Sequence, residues 1–68
     1  MIYTWLDGTK LRIPKGYRPD PEDADVFVNG HGVEYGVVEY GKGIYCLETI
    51  YSKYVRTIEL EIVRGERQ

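Results

Sequence analysis

Nucleophilic catalysis needs a thiol or hydroxyl beside a base, and this chain offers Cys46, Ser52 and a single histidine, His31. Cys46 stands inside the apolar run IYCL, where a free cysteine acts as a small hydrophobe. His31 lies between Gly30 and Gly32 in a turn, a place that suits surface contact better than a general base held in position. Nothing in the spacing pairs thiol with imidazole, so no catalytic residue is assigned and the chain reads as non-enzymatic.

Asp20, Glu22, Asp23 and Asp25 make a second constellation, with the hard oxygen ligands that calcium or magnesium prefer. The EF-hand pattern fails, because Phe27 and Val28 fall where further oxygen ligands belong. Gly41-Lys42-Gly43 lacks the P-loop pattern and sits between two strand-like runs, so it reads as a hairpin turn rather than a phosphate cradle. No metal and no cofactor are expected.

The acidic stretch has another use. Residues 20 to 34 carry five carboxylates and no Lys or Arg, whereas residues 1 to 19 carry Lys10, Arg12, Lys15 and Arg18 against Asp7 alone. Segregated charge favours oriented docking on a complementary surface. The leading expectation is therefore a binding protein that occupies a surface of a partner macromolecule, a protein above all, as an inhibitor or adaptor. Asp20, Glu22, Asp23 and Asp25 would supply the electrostatic contact, with Tyr17 and Phe27 as nearby apolar anchors. By analogy alone, small acidic-patched domains of this kind suit a mobile genetic element acting on nucleic-acid-handling machinery. The bland alternative is a solvated acidic loop.

A rival expectation comes from aromatic and basic residues. Stacking platforms hold unpaired bases on rings while cations hold phosphates, and Tyr3, Trp5, Lys10, Arg12, Lys15 and Arg18 could compose such a nucleic-acid-binding face. Against it stand the formal net charge of −2 and the habit of tyrosine to serve as half-buried packing in small sheets. A small-ligand pocket is a further alternative.

Elements must position these side chains, and 68 residues allow one small domain. Seventeen Val, Ile and Thr, nine aromatics and a single alanine point to sheet. IYTWL and TKLRI flank Asp7-Gly8 as a hairpin with a two-residue type I′ turn, Leu11 and Ile13 facing one way and Lys10 and Arg12 the other. Residues 14–25 contain all three prolines and read as a long connection, with a helix-start signature at Asp20-Pro21-Glu22-Asp23. VFV and VEYGVVEY flank a glycine-rich turn, and Gly36 suggests a bulge or close approach. Tyr54, Ile58, Leu60 and Ile62 share one face of a final strand, although residues 47–58 also match helical spacing.

The expected fold is all-β or β-rich α+β. It would be a small antiparallel meander, or a partly open SH3-like or OB-like barrel, of five or six short strands, with a short helix near 21–25 or 47–55 as the alternative. A single domain should span 1–63, with 64–68 as a frayed tail. No apolar run approaches the roughly 20 residues that cross a bilayer, so no membrane partner is expected. A lone cysteine suits a reducing, cytoplasmic setting. A core this small gains from pairing at open strand edges, and a homodimer is favoured over a monomer.

Overall fold

The computed structural model describes residues 1–64. Eight strands follow one another as β1 (Ile2–Thr4), β2 (Lys10–Arg12), β3 (Arg18–Asp20), β4 (Asp23–Val28), β5 (Glu34–Glu39), β6 (Tyr45–Thr49), β7 (Thr57–Glu59) and β8 (Glu61–Ile62). All pairings are antiparallel. The strands form a three-stranded sheet in the order β1-β2-β8 and a five-stranded meander in the order β3-β4-β5-β6-β7, and the two sheets do not close into a barrel. The fold is all-β, with no helix among the described residues. No helix is therefore long and apolar enough to cross a membrane.

The first hairpin is built differently from the expected type I′ turn, and the core explains why. Trp5 donates its N–H to Thr9 O at 2.8 Å and Gly8 donates to Trp5 O at 2.9 Å, so Leu6, Asp7 and Gly8 form a three-residue loop. A two-residue loop at Asp7-Gly8 would oppose Thr4 to Leu11, turning Tyr3 and Trp5 to solvent, since a one-residue slip flips every side chain. The longer loop opposes Tyr3 to Leu11 and lets the rings face inward. Only the glycine needs the left-handed conformation, with φ +92° at Gly8. Three-residue loops also join β4 to β5, closed by Asn29 N–H to Val33 O at 3.1 Å, and β5 to β6, closed by Tyr40 N–H to Ile44 O at 2.7 Å. Gly32 and Gly43 hold the last place in each, with φ +81° at both.

Neither candidate helix forms. Asp20 Oδ1 accepts the Glu22 N–H at 2.8 Å, a bond that an N-cap and a turn share. Here it closes a tight turn over Pro21 and Glu22, because the run that follows is the strand DADVFV. The expected long connection thus contains an edge strand, β3, where Pro19 lacks a donor without cost to the ladder, and the bulge falls between Pro19 and Asp20. Gly36 carries no bulge: it pairs in register with Val26 and Glu48. Residues 45–49 are the strand β6, paired on both sides, and 50–56 are an irregular connection. The final strand starts at Thr57, three residues after the expected Tyr54, which is exposed. The expected tail at 64–68 has only Arg64 within the described residues, following β8 and exposed; 65–68 lie outside them.

The core sits between the two sheets, where Leu11, Ile13, Phe27, Tyr35, Tyr45, Leu47 and Leu60 are buried. Leu60 separates β7 from β8 and donates its N–H to Tyr45 O at 2.7 Å. One extended run, 57–62, therefore passes from the larger sheet to the smaller across the core.

Candidate functional site

Alternation along the first hairpin places Tyr3 and Trp5 against the core and Lys10 and Arg12 on the opposite, outer face. The Tyr3 ring meets Phe27 edge-on, centroids 5.5 Å apart, and its hydroxyl donates to Asp25 Oδ1 at 2.7 Å. Trp5 stacks edge-on against Tyr45 at 5.9 Å and donates its indole N–H to Glu39 Oε1 at 3.3 Å. Tyr45 in turn donates its hydroxyl to Asp7 Oδ2 at 3.1 Å. Residues 3, 5 and 7 thus tie the small sheet to β4, β5 and β6 in succession, each tie an aromatic donor on a carboxylate.

Those bonds shape the titration of the groups that make them. Burial first, and the Asp25 carboxylate second, push the Tyr3 phenol up from 10.0 to about 12. The Thr9 N–H, 2.9 Å from Asp7 Oδ1, holds the Asp7 carboxyl below its usual value. Burial, and then Glu59, push the Cys46 thiol up, which makes it a poorer nucleophile at neutral pH.

The expected acidic set is brought together. Asp20 opposes Asp23 across the Pro21-Glu22 turn, and Asp23 and Asp25 lie on one face of β4. Glu22, Asp23 and Asp25 are exposed and Asp20 partly so. Asp23 Oδ1 accepts the Asp25 N–H at 3.0 Å. The antiparallel register puts this turn at the same end of the meander as Glu39 and the 40–44 turn, and the Trp5 and Tyr45 bonds bring Asp7 and the first hairpin tip to that end as well. Six carboxylates, Asp7, Asp20, Glu22, Asp23, Asp25 and Glu39, lie at that end, together with one cation, Lys42 of the 40–44 turn. Among the described residues no group of three His, Cys, Asp or Glu side chains is placed to hold a metal ion.

The expected apolar anchors are placed elsewhere. Phe27 is fully buried and belongs to the core, so it offers no surface for a partner. Tyr17 is half-buried, its ring edge-on to Tyr35 at 5.2 Å. Exposed apolar side chains at the acidic end are instead Leu6 (91% exposed), Tyr40 and Ile44. Tyr40 donates its hydroxyl to Glu48 Oε1. These three lie in or beside turns, outside the strand periodicity, and their only signal in the sequence is a large apolar residue within two places of a turn glycine.

No protein-family model, curated protein or solved structure matches the chain.

The basic and aromatic set is divided by the fold. Its rings, Tyr3 and Trp5, are engaged with Phe27, Tyr45, Asp25 and Glu39, whereas Arg12 pairs across the small sheet with Glu61, Nε to Oε1 at 3.3 Å. Lys15 lies in the turn 14–17 and Arg18 starts β3 opposite Val28, away from the first hairpin tip. The two candidate sets touch at Tyr3, whose ring meets Phe27 and whose hydroxyl donates to Asp25.

Proposed function

We propose that the protein is a non-enzymatic binding protein whose acidic end docks on a positively charged surface of a partner protein, acting as an inhibitor or adaptor in a reducing compartment. The observation that carries this reading is the convergence of Asp7, Asp20, Glu22, Asp23, Asp25 and Glu39 on one end of the strands, beside exposed Leu6, Tyr40 and Ile44. Carboxylates steer and orient the encounter, and the apolar side chains supply the desolvated contact that charge alone does not. The lone buried thiol of Cys46 suits the compartment. Self-pairing belongs to the same reading as a separate step, at one of the edge strands β1, β7 or β8, since Pro19 and its bulge blunt β3.

The test keeps the turn and removes its charge. Asp20→Asn, Glu22→Gln and Asp23→Asn together take away three negative charges while the Asn side-chain oxygens still accept the bonds that Asp20 and Asp23 now accept. Partner capture is compared between native and variant protein, each with and without nuclease, and followed by titration of the captured partner. The expected result is a loss of affinity of roughly tenfold or more, with a weakened salt dependence and an unchanged melting curve. Equal binding by the two proteins overturns the acidic-interface reading, and retention that nuclease abolishes transfers the role to nucleic acid.

A further inference from the structure

At the opposite end of the strands from the carboxylates, the 29–33 turn and the 50–56 connection flank a cleft of about 230 Å³, lined by Val33, Tyr35, Thr49, Ser52, Tyr54 and Arg56. The connection is ordered by its own hydrogen bonds. The Thr49 hydroxyl accepts the Arg56 N–H at 3.0 Å and donates to Tyr54 O at 3.1 Å. Ser52 Oγ accepts the Tyr54 N–H at 3.2 Å and donates to Tyr54 O at 2.9 Å. Ile50 N–H donates to Glu34 O at 3.0 Å, fastening the segment to β5.

A segment so held would ordinarily turn its apolar side chains inward. This one leaves Tyr51 93%, Tyr54 70% and Val55 69% exposed. Tyr51 is also the one non-glycine residue with positive φ, +57°, among the described residues, a costly backbone for a bulky side chain that packs on nothing. Charge adds a second sign. The segments 29–33 and 50–56 contain Lys53, Arg56 and His31 and no carboxylate, and Arg18 stands beside Val28 at the same end, with Glu34 following the turn. Large exposed phenol rings interleaved with cations, around a cleft that Arg56 helps to line, match a ligand with an anionic group and a flat aromatic face.

We propose that this cleft binds one nucleotide unit, its phosphate on the Arg56 guanidinium and its unpaired base stacked on Tyr54. Both hydroxyls of Thr49 and Ser52 are spent on the loop backbone, so recognition falls to Arg56 and the phenol groups. Tyr51 and Lys53 extend the same arrangement to a neighbouring unit. The unit can come from a free mononucleotide or from a single strand; a duplex hides its base faces. None of the acidic-end residues takes part, so the site stands or falls independently of the partner-docking reading.

Fluorescence anisotropy of a labelled oligothymidylate of roughly 12 nucleotides at low salt tests the proposal, with thymidine monophosphate as competitor and a duplex of equal length as comparison. Arg56→Gln and Tyr54→Ala alter side chains whose backbones, not side chains, hold the loop, and both should melt as the native protein does. Each is expected to weaken binding by about fivefold or more, whereas Lys10→Gln with Arg12→Gln changes it little. Displacement by millimolar monophosphate assigns the free nucleotide as ligand, and retention against it assigns the strand. Absence of binding, duplex bound as tightly as single strand, or Arg56 and Tyr54 variants that bind like the native protein overturn the site.

Discussion

Tyr3 joins both halves of the molecule through one ring and one hydroxyl. Its raised phenol value carries a stability consequence whose sign follows from linkage: the native state prefers the neutral phenol, so the stabilisation is complete below pH 10 and is lost as pH rises through about 12. The native protein should therefore lose melting temperature over that interval beyond what Tyr3→Phe loses, and the ultraviolet difference between the two should show one phenolate appearing late. Identical alkaline profiles would mean that the Tyr3 phenol is neither buried nor bonded to Asp25 in solution. At neutral pH Tyr3→Phe should cost about 1 kcal/mol, the usual worth of one such bond. Tyr17 titrates late for a related reason, burial first and its neighbour Tyr35 second. Alternation separates Tyr3 from Thr4 but does not say which of them faces inward; the three-residue loop decided that Tyr3 packs rather than stacks on a ligand, and Asp25, 22 positions on, became its acceptor only in the fold.

Among the elements, the turns were the most legible and their type the least. Asp7-Gly8, Asn29-Gly30-His31-Gly32 and Gly41-Lys42-Gly43 all mark hairpins, yet loop length follows from which strand faces meet the core, a demand made by residues several places away. Gly32 and Gly36 provide the contrast that tests this. Gly32→Ala puts a side chain at φ +81° and should destabilise by about 1 kcal/mol or more. Gly36→Ala meets only Ile50 Cγ2, at 3.7 Å, in ordinary strand backbone, and should be neutral or slightly stabilising. Chemical denaturation of both variants reads the difference, and equal losses would contradict the turn geometry. The helical alternative over 47–58 would need Leu47, Ile50, Tyr51, Tyr54, Val55 and Ile58 to share one buried face. Tyr51, Tyr54 and Val55 turn out to face solvent, leaving the strand pairings of β6 to decide.

For the whole molecule, seven buried apolar residues between two sheets are a thin core, and each one matters. Phe27 is fully enclosed, stacks on Tyr3 and pairs with Tyr35 and Pro19. Phe27→Ala should cost about 3–5 kcal/mol, comparable with the entire stability of many small domains, so the variant should be largely unfolded at 25 °C by circular dichroism. A cooperative melt within a few degrees of the native one would show that the sheets do not depend on this contact. The same variant loses both ends at once, because β4 carries the acidic turn at one end and the 29–33 turn at the other.

Composition pointed to a sheet-dominated chain, since seventeen β-branched residues and a single alanine leave helix little support, and period-2 alternation put Leu11 and Ile13 together on one face, the one that is buried. Charge segregation was also local, visible as a run of acids after a run of bases. The pairing of strands not joined by a short turn lay beyond reach, because hydrogen-bonded ladders are satisfied by any partner of suitable face, and the choice is made by burial summed over the whole core. Hence the splitting of residues 57–62 between two sheets, the burial of Phe27, and the gathering of Asp7 and Glu39 with the acids of 20–25 emerged from packing. So did the ordered yet exposed tyrosines of the 50–56 connection, whose backbone bonds to Thr49 and Glu34 exist only once β5, β6 and β7 lie side by side.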